Sequence, residues 1–418
     1  MAPPVAQRGI GWIPWKDDGV TIGSPHKATN HTHPAEGKTP LTEARIDLAA
    51  IRDNAARLRD AAGSAEVMAV VKADGYGHGM VPCARAALAG GATWIGVARM
   101  QEALILRASG ISSRILAWLL APGDDWTSAL AEGIELSAGA TWAVEAAAQA
   151  AQAAGRPGLL HLKIDTGLGR GGASSAHWPA LVEAASRAQA SGHVRVVGIW
   201  SHLAHADSPG HPACDRQVEN FRDAVQLAHK AGLSPEVLHL ANSAATLTLP
   251  HTHFDLVRPG LALFGLSPVP ELAAPAALGL RPAMTLTARL VSVKRVPAGQ
   301  GVSYGHRHRT SCETTLGLVP LGYADGVPRH ASGTVPVLAA GRWRTVAGTV
   351  CMDQFVVDLD DGTAAVGDEV VLFGPGDHGE PGAEDWARAA GTISHEIVTR
   401  IGARVPRSYT DGFSPDER

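Results

Sequence analysis

Between residues 67 and 259 the chain carries eight short apolar runs: VMAVVK (67–72), WIGVA (94–98), RILAWL (114–119), IELS (134–137), LLHLKID (159–165), VRVVGIWSH (194–202), EVLHLA (236–241) and FDLVRP (254–259). Ala- and Leu-rich stretches with helical spacing separate them. Runs that are apolar at successive positions suit strands buried on both faces, and strands alternating with helices imply a parallel sheet under helical cover. Eight such units within about 220 residues predict an α/β fold of the (β/α)8 type, a TIM barrel. A doubly wound open sheet is the competing arrangement, and the absence of a GxGxxG turn after any strand counts only weakly against it.

The flanks read differently. Glu43–Ile46–Leu48 forms a short strand, followed by a helix with apolar positions at Ile51, Ala55 and Leu58. From about Arg281 the segments MTLTARLVSVKRV, TLGLVPLGY, TVPVLAAG, FVVDL and EVVLFG, broken by Gly and Pro, predict a mainly antiparallel β domain, with a helical segment near Trp386 to Gly402. A length of 418 residues suits two domains. The expected division is an extended or disordered arm over 1–42, a barrel over 43–280 whose first strand (43–48) can join the β domain, and a β domain over 281–418.

Composition narrows the function. Hydrophobic residues at 45% and charged ones at 18% suit a large buried core. With 36 basic against 40 acidic side chains and no basic run, nucleic acid is not an expected partner. Cys83, Cys214, Cys312 and Cys351 show no CxxC pairing, which fits free thiols in a reducing compartment. No secretion-type apolar segment and no run of about 18 apolar residues occurs, so the expectation is a cytoplasmic protein without a membrane partner or a metal.

Barrel chemistry sits where strands end. Lys72 closes the first run, Arg170 follows the fifth, His202 ends the sixth, Asn242 and Ser243 follow the seventh, and Arg258 with Gly260 ends the eighth. Each alone is more often a structural polar residue; together they outline a site. A lysine at an apolar rim loses part of its ammonium stability by desolvation, which frees the amine to condense with an aldehyde. Pyridoxal 5'-phosphate is the natural aldehyde. Its phosphate would suit backbone N–H groups at the turns Asn242–Ser243 and Arg258–Leu261, where Gly260 permits close approach.

At these residues the chain resembles the alanine racemase family. AVVKADGYGHG (69–79) is similar to its cofactor-lysine segment, and the likeness runs through KIDTGLGR (163–170), SHLAHAD (201–207), HLANSAATL (239–247), VRPGLALFGL (257–266), GVSYG (301–305), GYADGVPR (322–329) and CMDQ (351–354), covering nearly everything after residue 43. The resemblance implies a fold-type III pyridoxal-phosphate enzyme that pairs head to tail as a homodimer with shared sites. Lys72 would bind the cofactor and exchange a proton on one face, and the partner's Tyr304 would serve the other. Tyr76, Ser243, Gly260 and Leu261 would hold the phosphate, Arg170 would meet the substrate carboxylate and the cofactor's phenolic oxygen, and the partner's Met352 and Asp353 would complete the substrate pocket.

Two bases on opposite faces of Cα are the simplest way to racemise, and a tyrosine base needs cationic or hydrogen-bonding neighbours, for which His202 and Arg170 are candidates. Arg258, facing the pyridine nitrogen, disfavours ring protonation, which speaks for racemisation over decarboxylation; His239 would orient it. The resemblance implies that Lys163 can be carbamylated, as the corresponding lysine can be in related racemases, and a lysine paired to an acid is the competing reading. Two departures concern the approach: His395 stands where the family usually has a tyrosine near the phosphate, and Thr349 where an arginine is common, with Asp207, Tyr323, Arg329 and Ile393 lining the corridor. The expected reaction is interconversion of L- and D-alanine for peptidoglycan. A racemase of broader range, accepting serine, and a non-catalytic cofactor carrier are the alternatives.

Overall fold

The computed structural model describes residues 40–410, and the expected arm falls, except for its last three residues, outside them. Eight parallel strands form the first sheet: β2 (Glu66–Val70), β3 (Trp94–Val97), β4 (Arg114–Ala117), β5 (Glu135–Ala138), β6 (Gly158–Lys163), β7 (Val194–Trp200), β8 (Val237–His239) and β9 (Leu256–Val257), after β1 (Thr42–Asp47), which lies elsewhere. Their order is β8-β7-β6-β5-β4-β3-β2-β9. The ring closes where Asp255 N donates to Leu238 O at 3.0 Å and Arg258 N to Ala241 O at 2.9 Å. This is the (β/α)8 architecture read from the strand rhythm. Both β3 and β5 are buried at all four positions, as a sheet filled inside and covered outside requires.

The helices present one apolar stripe each to this sheet. In Leu48–Ala62 the buried residues Ile51, Ala55, Leu58 and Ala62 recur every three or four positions. Asp47 caps the helix by accepting from Ala50 N at 3.0 Å, and Gly63 ends it at φ 66°. Truncating Leu58, which is fully buried, to alanine costs about 2–5 kcal/mol on the usual scale of core deletions.

Beyond residue 283 the chain is mainly antiparallel. β1 pairs antiparallel with Met284–Arg289 and parallel with Arg407–Thr410, inside a six-stranded sheet completed by Glu369–Phe373, Pro336–Ala339 and Arg342–Thr345. Ser292–Val296, Thr314–Val319 and Phe355–Asp358 make a second sheet, and Gly301–Val302 with His308–Arg309 a short ribbon whose connection holds Tyr304. The helical segment expected near Trp386 to Gly402 is two short helices, Ala383–Ala390 and Ser394–Thr399, because Gly391 turns left-handed (φ 64°) between them. Among the described residues, no helix is long and apolar enough to cross a membrane.

Candidate active site

A cavity of about 980 Å³ opens at the C-terminal ends of the barrel strands. It is lined by Lys72, Tyr76, Lys163, Arg170, His202, Asn242, Ser243, Arg258, Gly260, Leu261 and His395, so residues spread over more than three hundred positions meet in one place.

Lys72 leads into an unusual turn. Ala73, Asp74, Gly75 and Tyr76 all have positive φ (54°, 51°, 62° and 52°), a left-handed stretch that costs non-glycine residues roughly 1–2 kcal/mol each. Hydrogen bonds over-determine it. Glu102 accepts from Ala73 N at 2.7 Å, Asp74 Oδ1 accepts from Met80 N at 2.8 Å, and Gly79 N donates to Asp74 O at 2.8 Å. The result throws Lys72 toward the barrel mouth while Tyr76 turns back beneath it, with Nζ 6.0 Å from the Tyr76 ring centre. Burial, then Arg170, lowers the Lys72 pKa below its ordinary value, with Glu102 opposing.

A cradle of backbone donors forms where the last two strand ends meet. Asn242 caps the helix Ser243–Thr248 by accepting from Ala245 N at 3.1 Å. Buried Ser243 Oγ accepts from Gly260 N at 2.8 Å and from Ala262 N at 3.3 Å. A Cβ on Gly260 would stand 2.1 Å from the Tyr76 hydroxyl, so that residue has to be glycine for the tyrosine to fit. Phe264 packs on the Tyr76 ring at 5.0 Å, and His395, open to the cavity, lies 6.1 Å from it.

Arg258 is buried and donates to Ser201 O at 2.8 Å, to His239 Nδ1 at 3.2 Å, and at 3.3 Å to both His202 Nδ1 and Leu240 O. Burial lowers its pKa to about 9, and pushes that of His202, with help from Arg258, well below the usual range. Trp200 lies between two cations, 3.4 Å from Lys163 Nζ and 4.8 Å from the Arg258 guanidinium carbon. Among the described residues Lys163 makes no salt bridge to an acid; burial, then Arg258 and Arg170, lowers its pKa to about 7, with Asp165 opposing. Arg170 is placed by its own loop: Asp165 Oδ1 accepts from Gly167, Leu168 and Gly169 N, and Oδ2 from Arg170 N at 3.0 Å.

Tyr304, Met352 and Asp353 are not in this lining. Tyr304 is 72% exposed and Met352 53% exposed, both on loops of the β domain. Of the corridor residues Asp207 lines the cavity, while Tyr323 and Ile393 are exposed elsewhere. Thr349 is buried beneath the tyrosine loop, its hydroxyl donating to Tyr304 O at 3.0 Å. His239 stands behind the wall, reached through Arg258. Sequence reasoning passed over Trp118, Trp142 and Trp200, which wall the cavity, and Glu102, which fixes the turn. Trp200 was discoverable as an aromatic ending a strand one residue before Ser201; Glu102 carries no comparable signal.

The family model for the alanine racemase N-terminal domain matches residues 46–268, and that for the alanine racemase C-terminal domain residues 283–409. The alanine racemase of Frankia casuarinae is 61% identical over 364 residues, which cover 87% of this chain and 95% of the relative. That of Streptomyces coelicolor is 60% identical over 373 residues, covering 88% and 95%. Among solved structures, alanine racemase from D-cycloserine producing Streptomyces lavendulae superposes with a TM-score of 0.89 at 56% identity, over 91% of this chain and 100% of that one. The enzyme from Corynebacterium glutamicum gives 0.77 at 37% identity, over 89% and 100%.

Proposed function

The chain belongs to the alanine racemase family of isomerases, and from that premise we propose that it interconverts L- and D-alanine with pyridoxal 5'-phosphate held on Lys72, using the partner's Tyr304 as second base. The reading places it in the cytoplasm, as a head-to-tail homodimer that supplies D-alanine for peptidoglycan. One observation carries the cofactor assignment: a desolvated lysine, a buried serine with the Gly260–Leu261 turn beside it and a buried guanidinium line one cavity.

The residues suit that group. Ser243, Gly260, Leu261 and Tyr76 would hold its phosphate and Lys72 its aldehyde carbon, while Arg258 would face its ring nitrogen. When bound, it supplies a sink for the electron pair left as Cα loses its proton. Arg170 on the Asp165-ordered loop fixes the substrate carboxylate and so the orientation of Cα. Lys72, with its lowered pKa, is available as a neutral amine to take or return the proton on its own face. Tyr304 serves the opposite face, and Met352 and Asp353 close the pocket from the same partner loops. Arg258 has only donors and holds the ring nitrogen unprotonated, which restrains side reactions.

Lys163 suits carbamylation. Its neutral amine would add CO2 and lose one proton, placing a carboxylate between the two guanidinium groups that lower its pKa. Carbon-13-labelled CO2 should give a carbamate signal that Lys163→Met removes; no such signal would rule the modification out.

Borohydride reduction of the holoenzyme should fix the cofactor mass on the peptide bearing Lys72, and a label on any other lysine would overturn the assignment. Broader specificity is the second reading, because Thr349 sits buried under the tyrosine loop and presents no long side chain at the gate. A panel of L-amino acids assayed for D-product separates the two: turnover of alanine far above that of serine is the expected result.

A further inference from the structure

Arg258 is enclosed, yet none of its hydrogen-bond acceptors is a carboxylate: it donates to two backbone carbonyls and two imidazoles. A buried cation without a counter-ion is expensive. A carboxylate lies at the other end of a chain of contacts through the barrel interior. His239 Nε2 and His161 Nδ1 are 2.9 Å apart, His161 Nε2 and Glu135 Oε2 are 2.8 Å apart, and Arg114 holds the carboxylate by two bonds, Nη2 to Oε2 at 2.9 Å and Nε to Oε1 at 2.5 Å, while its Nη1 pairs with Glu236. Glu135 begins β5 and Arg114 begins β4, so both stand at the barrel floor, opposite the mouth where Arg258 faces the cavity.

We propose that Glu135 is the counter-ion of Arg258, acting across the barrel through two imidazoles locked in one tautomer, and is thereby a positioning residue for the group that faces the cofactor ring. The direction of every bond follows from its two ends. Arginine only donates, so His239 Nδ1 must accept and its proton is on Nε2. That proton is donated to His161 Nδ1, which puts the His161 proton on Nε2, where the Glu135 carboxylate accepts it. All three bonds point from the cation to the anion, an arrangement in which each polarises the next. His239 stays neutral in this chain. Burial, followed by Arg258 and His161, pushes the His239 pKa well below its usual range. Burial alone would raise that of Glu135, but hydrogen bonds from His161 and Arg114 outweigh it.

The surroundings are built for this contact. His161 and His239 are fully buried; Trp200 stacks on His239 at 5.6 Å with planes 2° apart, and Trp94 meets His161 edge-on at 5.6 Å. Glycine interrupts β7 at Gly198, where a Cβ would stand 2.1 Å from His161 Nδ1, the atom that accepts from His239. A mid-strand glycine weakens a strand, and here its absent side chain makes the junction possible. A carboxylate touching Arg258 directly would draw the guanidinium away from the cavity. The relay supplies the negative charge from below and leaves the cavity-facing side of Arg258 free of an acid.

The relay needs no cofactor; only its consequence at the ring nitrogen rests on the reading above, so the test is made on the imidazoles. In the histidine-nitrogen-15-labelled holoenzyme, His239 and His161 should both appear as single Nε2–H tautomers. Glu135→Gln keeps the size and an acceptor oxygen but removes the charge. The ring-nitrogen signals of His239, two hydrogen bonds away and touching nothing that was changed, should then shift as its Nε2–H is less polarised, while Arg258 keeps the tautomer. Gly198→Ala, which displaces His161 and leaves Glu135 and Arg114 in place, should produce the same shift. A parent enzyme with the His239 proton on Nδ1, or His239 signals that stay fixed in both variants, would overturn the proposal, whereas loss of the cofactor reading alone would leave these signals as described.

Discussion

Tyr76 and Gly260 occupy one space between them. The tyrosine hydroxyl stands where a Cβ on residue 260 would lie, and a fully packed site has no slack to absorb it. Gly260→Ala should therefore displace the Tyr76 ring and spoil the donors gathered on Ser243, at a cost of about 1–3 kcal/mol typical of overpacking. Titration of apoenzyme with pyridoxal phosphate should show retention weakened about tenfold or more. Adding Tyr76→Phe should restore part of it, since the atom in closest conflict is gone; equal binding by Gly260→Ala and the parent would contradict the cradle. His78 carries a second residue-scale consequence. Its Nδ1 donates to Gly75 O and Tyr76 O at 3.0 Å, its buried Nε2 has no hydrogen-bond partner among the described residues, and burial lowers its pKa to about 4 against 6.5 in water. The unfolded chain therefore binds a proton between pH 6.5 and 4 that the folded chain refuses, so stability falls as the pH drops through that window. The loss is about 2 kcal/mol by pH 5. Thermal melts at pH 8 and pH 5 should show it, and His78→Asn should remove its share of the difference, while buried His202, His239 and His395 keep theirs.

At the scale of elements, the loop after β6 folds around Asp165, whose carboxylate collects four successive backbone N–H groups and so aims Arg170 at the cavity. Asp165→Ala should raise KM for alanine roughly tenfold or more, because it removes four charge-assisted hydrogen bonds, each worth about 1.5–3 kcal/mol at most, from the loop that aims Arg170. A change in kcat alone would show that Arg170 is held by something else. This scale also separates what was legible in the sequence from what was not. The barrel strands announced themselves because burial on both faces favours apolar side chains, as at all four positions of β3. The polar residues at strand ends stood out against that background. The left-handed turn after Lys72 did not, because Ala73 and Asp74 adopt positive φ against their own preference and only the bonds of Glu102 and Asp74 hold them there. His161 was hidden for another reason. Its partners lie 26 and 78 residues away, a pairing set by barrel closure, which local pattern does not encode. The strand Arg407–Thr410 was equally silent: four residues with three polar side chains pair with β1 only because the whole sheet brings them there.

For the molecule as a whole, the cavity and the tyrosine loop lie apart, and the proposed two-base reading has to bring them together. Lys72, Arg170 and Arg258 converge at the barrel mouth, while Tyr304 stands 72% exposed on the β domain and is absent from the cavity lining. Its loop is well fixed, with Thr349 donating to Tyr304 O at 3.0 Å and Ser303 Oγ donating to Thr349 O at 2.6 Å, so the exposure belongs to an ordered surface. Met352, also on that surface, leaves another large apolar side chain in water. Ordered exposure of this kind is what a self-complementary interface needs, and in a closed twofold pair each cavity would receive the other chain's loop. The consequence is quantitative. Lys72→Ala and Tyr304→Phe each remove one base from every site when made alone. Dissociated and mixed in equal amounts, half of the reassociated dimers carry one of each variant, and in those one site has both defects while the other has none. About a quarter of the parent activity should return, from two preparations that are each nearly inactive. Recovery should require passage through monomers, so simple mixing at high protein concentration should regain activity slowly and dilution or mild denaturant should speed it. If no activity returns after demonstrated subunit exchange, both bases come from one chain, and Tyr304 must then reach Lys72 by a rearrangement of its own β domain.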